Sequence, residues 1–469
     1  MTNQVTTTTN VISVVDGLSS ALNGYLSELG LPTENVLVSI PERSRIINNF
    51  PDVINHIETT KRNNSLYLSK FIAACGAGLF DAALNFIWDE TVVNLRSKVI
   101  RFDLEYFYDS VVTDSNRRAK LKDESDLVKI EEWELIRGCH VTGILSDIGY
   151  KHLDYIRDMR NWASAAHPNQ NQLTGFQLVA WLETCINEVI AKEPEPAAVE
   201  VKRVLTSIRN NILSPTDAEP IKVGFEYLPI DLVSSLLRTL FGMYTTEKTA
   251  INIRTNIQLV AQKCWSLAPD DAKYECGLKY SNFAANGEVA RKDLAKNFLS
   301  IVSGLSYLPS DTLALEISEK IQNLYSAHHG LSNFYNEPPH AKTLSAYVSD
   351  TGVIPDSVRH AYVKTVVMAK IGNGYGISNM AETYYDQMIN KFGEPELKEF
   401  VKLVLNKDFS NRLSLTSCPK NFKILVKQLA GKTANQITIQ ALTRLDKVTE
   451  LQLPVLITDT QYQQLVNSY

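Results

Sequence analysis

The chain has 469 residues, enough for two or three domains with sizeable cores. An apolar fraction of 44% and a charged fraction of 21% are ordinary for a soluble globular protein. A formal charge of −5 excludes a general nucleic-acid coat, so any RNA contact must come from a local patch. Cys75, Cys139, Cys185, Cys264, Cys276 and Cys418 are scattered and form no CxxC pair. They read as free thiols of a reducing, cytoplasmic compartment, not as a disulfide frame or zinc site.

Apolar residues recur at three- and four-residue intervals along the chain, and few segments alternate with period two, so the expected class is all-α. Residues 1–49 form a lead-in. Their first ten residues are polar and Thr-rich, with neither the basic nor the apolar region of a secretion signal. Residues 36–40 could be a short strand or an extended stretch. Pro41 can open a helix that runs through Ile46, Ile47 and Phe50.

A long helix is predicted over 65–101, with Leu66, Phe71, Leu79, Ala83, Phe86, Ile87, Val92 and Leu95 among its apolar positions. Ala74, Gly76, Ala77 and Gly78 would let another helix approach closely. Asp81 and Asn85 interrupt the longest apolar run, 71–88, so it reads as a buried helix and not as a membrane span. A helix pair follows at about 104–114 and 129–146, and then a helix over 149–166.

That last helix carries the most informative stretch, Arg-Asp-Met-Arg-Asn-Trp-Ala-Ser-Ala-Ala-His-Pro-Asn at 157–169. Arg160 and His167 are seven residues apart, two helical turns, so they project from one face. One is a permanent cation and the other exchanges protons near neutral pH. Phosphodiester cleavage needs both, a proton shuttle and positive charge against the developing oxyanion. Pro168 disfavours α geometry at His167 and marks the helix end. Two plainer roles stand beside this one. His167 could simply favour the helix dipole, and Arg160 could pair with Asp154 or Asp158.

Thr174 and Gln177 form a capping box for the next helix, with Phe176, Val179, Ala180, Ile186 and Ile190 as its apolar face. Glu193-Pro-Glu-Pro-Ala197 marks the expected domain boundary. Residues 200–469 read as a succession of helices, for example 231–244, 251–267, 290–305, 312–327 and 358–371. They suggest a solenoid-like array without a fixed-period repeat.

Other signals are weak. Gly431-Lys-Thr433 ends like a phosphate loop but has Val426 where the pattern needs glycine. Gly372-Asn-Gly-Tyr-Gly376 follows a helix and reads as a turn. His328, His329 and His340, near Pro338 and Pro339, read as a loop without metal-ligand spacing. Arg117, Arg118, Lys120 and Lys122 are the densest basic run and the candidate RNA-phosphate contact. Tyr106, Phe107 and Tyr108 favour helix packing over base stacking.

A long helix, a linked helix pair, a helix bearing Arg160-Asn161 and a following His167-Pro-Asn resemble the HEPN superfamily of all-helical ribonuclease-type domains, over about 50–195. The superfamily's signature is Arg, four to six residues, then His. The resemblance implies a metal-independent endoribonuclease without cofactors, acting as a homodimer whose two Arg-His motifs meet in a cleft. In it, His167 would transfer protons or hold the scissile phosphate, Arg160 would stabilise negative charge and Asn161 would position the phosphate. It further implies a toxin or antiviral effector with RNA as substrate. The 200–469 domain would sense a trigger, bind a protein partner or restrain the nuclease. The alternatives are a non-catalytic helical scaffold or sensor binding RNA, nucleotide or protein, and a toxin-neutralising partner.

Overall fold

A computed structural model describes residues 2–163, 173–348 and 351–468. Among them the regular elements are all helices, with no strand, as the apolar spacing predicts. The chain divides into two compact units, Met1–Thr239 and Leu240–Tyr469.

The first unit opens with α1 (Thr2–Glu28), a helix within the expected lead-in. Residues 36–39 form no strand; the Val38 N–H bonds the Gly78 carbonyl at 2.9 Å. Helix α2 (Ile40–Ile54) follows with Pro41 in its first turn, then α3 (Thr59–Asn64). The single helix expected over 65–101 is two helices, α4 (Leu66–Ala77) and α5 (Phe80–Phe102).

Gly78 makes the break. Its φ of +83° is left-handed, a conformation that glycine adopts without the steric cost a Cβ imposes. A Cβ there would also lie 2.4 Å from Nε of Arg43, a buried side chain that donates to the Val38 carbonyl and the Ser19 hydroxyl. With the chain turned at Gly78, Phe71 on α4 and Ala83, Ile87, Trp88 and Leu95 on α5 fill the core. Leu66 and Leu79, expected on the apolar face, are instead exposed.

Helix α6 (Leu104–Val111) is capped by Asp103, which accepts from the Tyr106 N–H at 2.9 Å. Tyr106, Phe107 and Tyr108 are buried as packing residues. A short α7 (Ser115–Arg118) and a 3₁₀ turn at Glu124–Lys129 lead to α8 (Glu132–Val141), which ends before Gly143 at φ +74°. Helix α9 (Asp147–Ala163) starts where the Ser146 hydroxyl accepts from the Gly149 N–H at 3.1 Å.

Thr174 and Gln177 exchange the expected capping-box bonds at the start of α10 (Gly175–Cys185), which runs into a π-helical turn at Ile186–Ile190. Its buried face is Leu178, Trp181, Leu182 and Cys185; Phe176 is exposed under the Arg45 guanidinium. Helices α11 (Pro196–Asn210) and α12 (Pro215–Phe225) and the start of α13 (Ile230–Thr245) complete the unit. Lys202 donates to the Arg101 carbonyl, Arg209 pairs with Asp103, and Ser235 donates to the Val141 carbonyl at 3.1 Å. Those bonds hold the residues after Pro196 within the first unit.

The second unit continues through α14 (Ile251–Leu267), α15 (Asp270–Ala285), α16 (Val289–Ile301), α17 (Ser310–His329), α18 (Asn333–Ala346), α19 (Asp356–Ile371) and α20 (Asn379–Asn390). It ends with α21 (Glu394–Lys402), α22 (Lys407–Arg412), α23 (Cys418–Leu429), α24 (Gln436–Lys447) and α25 (Thr460–Val466). The loop expected around His328, His329 and His340 is helical, and Pro338 and Pro339 lie inside α18. Pro338 cannot donate to the Phe334 carbonyl, and the Ser378 hydroxyl takes that place at 2.7 Å.

Candidate functional site

Arg160 stands in the last turn of α9, and three other helical residues define its surroundings. Its guanidinium pairs with Glu132 at the start of α8 and lies 5.5 Å from the ring centre of Trp88 on α5. Asp154 and Asp158, the partners suggested by spacing, are both taken by Arg157 at 2.9 Å. Asp89, next to Trp88, is half-buried and feels Arg160, Glu132 and Lys70.

Burial pushes the Asp89 carboxyl above the ordinary aspartate range, and the nearby Glu132 charge adds to this. The Arg160 and Lys70 charges pull the other way without cancelling it. The result is a cation held in place beside a carboxyl raised above its ordinary range. Among the described residues, the buried Arg160 Nε and Trp88 Nε1 have no hydrogen-bond partner. The same holds for buried donors elsewhere, among them Arg62 Nε, Arg96 Nε and Trp265 Nε1, so here it marks the close packing of Arg160 on Trp88.

Asn161 is exposed on α9, one residue further along. His167, with Pro168, lies outside the described residues. The four basic residues are divided in role. Arg117 makes a two-pronged bond to Glu134 at 2.5 and 2.6 Å and also donates to the Lys129 carbonyl. That bond holds the Glu134 carboxyl below the usual glutamate range. Arg118 pairs with Asp109 at 2.6 Å and donates to the Leu121 carbonyl at 2.8 Å. Lys120 and Lys122 are exposed.

Sequence reasoning missed Asp89, Glu132 and Trp88, because they are far apart in sequence and meet Arg160 only through helix packing. It also missed a cleft of 620 Å³ in the first unit, lined by residues including His140, Asp147, Glu195, Glu200, Tyr227 and Asp231. His140 bonds Asp147 at 2.8 Å and stacks on Tyr150, which fixes the ring. Lys192 and Arg203 engage Glu195 and Glu200 from outside. The four carboxylates make this cleft unsuited to a nucleic-acid backbone.

Buried Lys98 was also unforeseen. Burial pushes its ammonium down to about 8, and it donates to the Lys192 carbonyl just past the π turn, a structural tie. The six cysteines are free and buried, and burial pushes Cys139 and Cys185 up to about 12. Among the described residues, no group of three or more His, Cys, Asp or Glu side chains could hold a metal ion.

The weak signals have structural roles. Lys432 donates to the Asn390 carbonyl at 2.8 Å, and Thr433 bonds Glu394, a carboxylate where a phosphate loop would need positive charge. The Gly372–Gly376 turn takes positive φ at all three glycines. Among the described residues, no helix is long and apolar enough to cross a membrane. Compared with family models, curated proteins and solved structures, the chain matches none of them.

Proposed function

We propose that the chain is a metal-independent endoribonuclease whose reaction centre is the end of α9. The observation that carries this reading is the Arg160 guanidinium, held at the end of α9 by Glu132 and Trp88 beside the Asp89 carboxyl, which burial raises above its usual range. In this reading the RNA 2′-hydroxyl attacks the adjacent phosphorus, and the 5′-oxygen leaves. A 2′,3′-cyclic phosphate and a 5′-hydroxyl result. Arg160 stabilises charge on the phosphate, Asn161 positions it and His167 moves the proton. A second copy completes the cleft, and the biology is that of a toxin or antiviral effector.

A second reading also has an observation in its favour. Arg160 is already paired with Glu132 through one terminal nitrogen, so a phosphate there competes with that carboxylate for the guanidinium. A non-catalytic helical scaffold binding RNA, nucleotide or a protein would leave the pair closed. The deciding experiment incubates the purified chain with total RNA in EDTA and maps the new ends. Cyclic-phosphate ends lost in Arg160→Ala support the nuclease. RNA left intact across salt and pH, with and without EDTA, supports the scaffold.

A further inference from the structure

Helix α1 carries a row of large apolar side chains that its own chain leaves uncovered. Val11, Val14, Leu18, Leu22 and Tyr25, with Leu29 directly after the helix, are 37–70% exposed. At 100° per residue they fall within a stripe about 80° wide. Val11, Leu18 and Tyr25 recur every seven residues, with Val14 and Leu22 between them. Ile12, Val15, Ser19 and Leu26 lie on the adjoining flank and are partly covered. There the Ser19 hydroxyl accepts from Arg43, and a Cβ on Gly76 would touch Val15 at 3.7 Å. The apolar surface of α1 is therefore wider than the strip used for packing in its own fold.

We infer that this stripe is a self-association surface on which a second copy of the chain pairs its own α1. Three features select that occupant, and none depends on the nuclease reading. A seven-residue apolar repeat is self-complementary, the pattern by which two helices interdigitate. Of the charges of α1, Asp16 lies off the stripe and Glu28 comes at its C-terminal end, two heptads after Val14, so an antiparallel pair meets without like charges facing. With no Lys or Arg anywhere in α1, the helix also lacks the basic face by which amphipathic helices lie on membranes. The third feature is area. The exposed parts of these six side chains amount to roughly 500–600 Å² per copy, so a pair would bury about 1,100 Å², near the lower bound for specific association. A patch of this size is also at the upper end of what monomers expose.

The test is light scattering on the full-length chain, eluted from a sizing column at micromolar concentration, beside Leu18→Glu/Tyr25→Glu. The expected result is twice the monomer mass for the parent and the monomer mass for the double variant. The variant's circular dichroism should be unchanged, since both side chains are more than half exposed, and its melting temperature should fall only by the part of the parent's that rises with protein concentration. A second variant, Leu18→Cys, should form a disulfide-linked dimer on mild oxidation. Position 18 is near the middle of the stripe and meets its own copy in either helix direction, while the native thiols are buried. A monomeric parent at 100 µM would overturn the inference, as would a dimer that persists in the folded double variant. A monomeric parent that pellets with anionic phospholipid vesicles, when the double variant does not, would assign the stripe to membranes instead.

Discussion

Removing one hydroxyl tests the buried polar network of the second unit. Glu337 on α18 is 1% exposed and accepts from Tyr385 on α20 at 2.6 Å and from Asn333 at 2.6 Å; His328 on α17 bonds it at 2.9 Å. Burial opposes its ionisation, but the bonds from His328 and Tyr385 outweigh burial and hold the carboxyl below the ordinary glutamate range. Tyr385→Phe fills the same space and deletes only one of the two 2.6 Å bonds. A hydrogen bond to a buried charge contributes about 1.5–3 kcal/mol, so the variant should lose about that much. For a unit of this size, each kcal/mol moves the melting temperature by roughly 2–4 °C, giving a drop of about 3–12 °C. Because Glu337 is depressed in the folded state, its stabilisation is present above the unfolded glutamate pKa, about 4.3, and is lost as pH falls through the folded value. Parent and variant should therefore differ most near neutrality and converge in acid. Calorimetry at pH 7 and across the acid range measures both quantities. A neutral-pH shift below 1 °C, or a gap that widens in acid, would show that Glu337 is not held ionised by this hydroxyl.

At the candidate site, Arg160→Ala and His167→Ala should each reduce RNA cleavage by about 10²–10⁴, read as initial rate in EDTA, with folding intact by circular dichroism. Arg160→Lys should recover only part of the rate, because it keeps the charge and loses the planar fork; full recovery would speak against phosphate gripping. Asp89→Asn should alter the pH profile of cleavage if that carboxyl exchanges protons during turnover, and an unchanged profile would remove it from the mechanism. Gly78→Ala should destabilise the first unit by about 2–3 kcal/mol in urea melts, from the left-handed backbone and the clash with Arg43. Thiol reagent should label none of the six cysteines in the native chain and all of them in denaturant, and rapid native labelling would contradict their burial.

The helical class and much of the element order were legible in the residues alone. The apolar period and the local signals, Pro41 in a first turn and the Thr174–Gln177 box, depend only on residues within a turn or two of each other. They came out as read. Where the reading failed, a distant residue decided the outcome. Arg43 filling the space beside Gly78 accompanies the division of one expected helix into two, and Ser378 replaces the partner that Pro338 cannot bond. Phe176 fits the helical period yet faces out, because Leu178, Trp181 and Leu182 take the core. Arg160 was legible as a candidate from its spacing to His167, but its real neighbours, Glu132, Trp88 and Asp89, were not. A helix projects its own period onto the sequence, whereas contacts between helices depend on how their faces pack, and that carries no local signature.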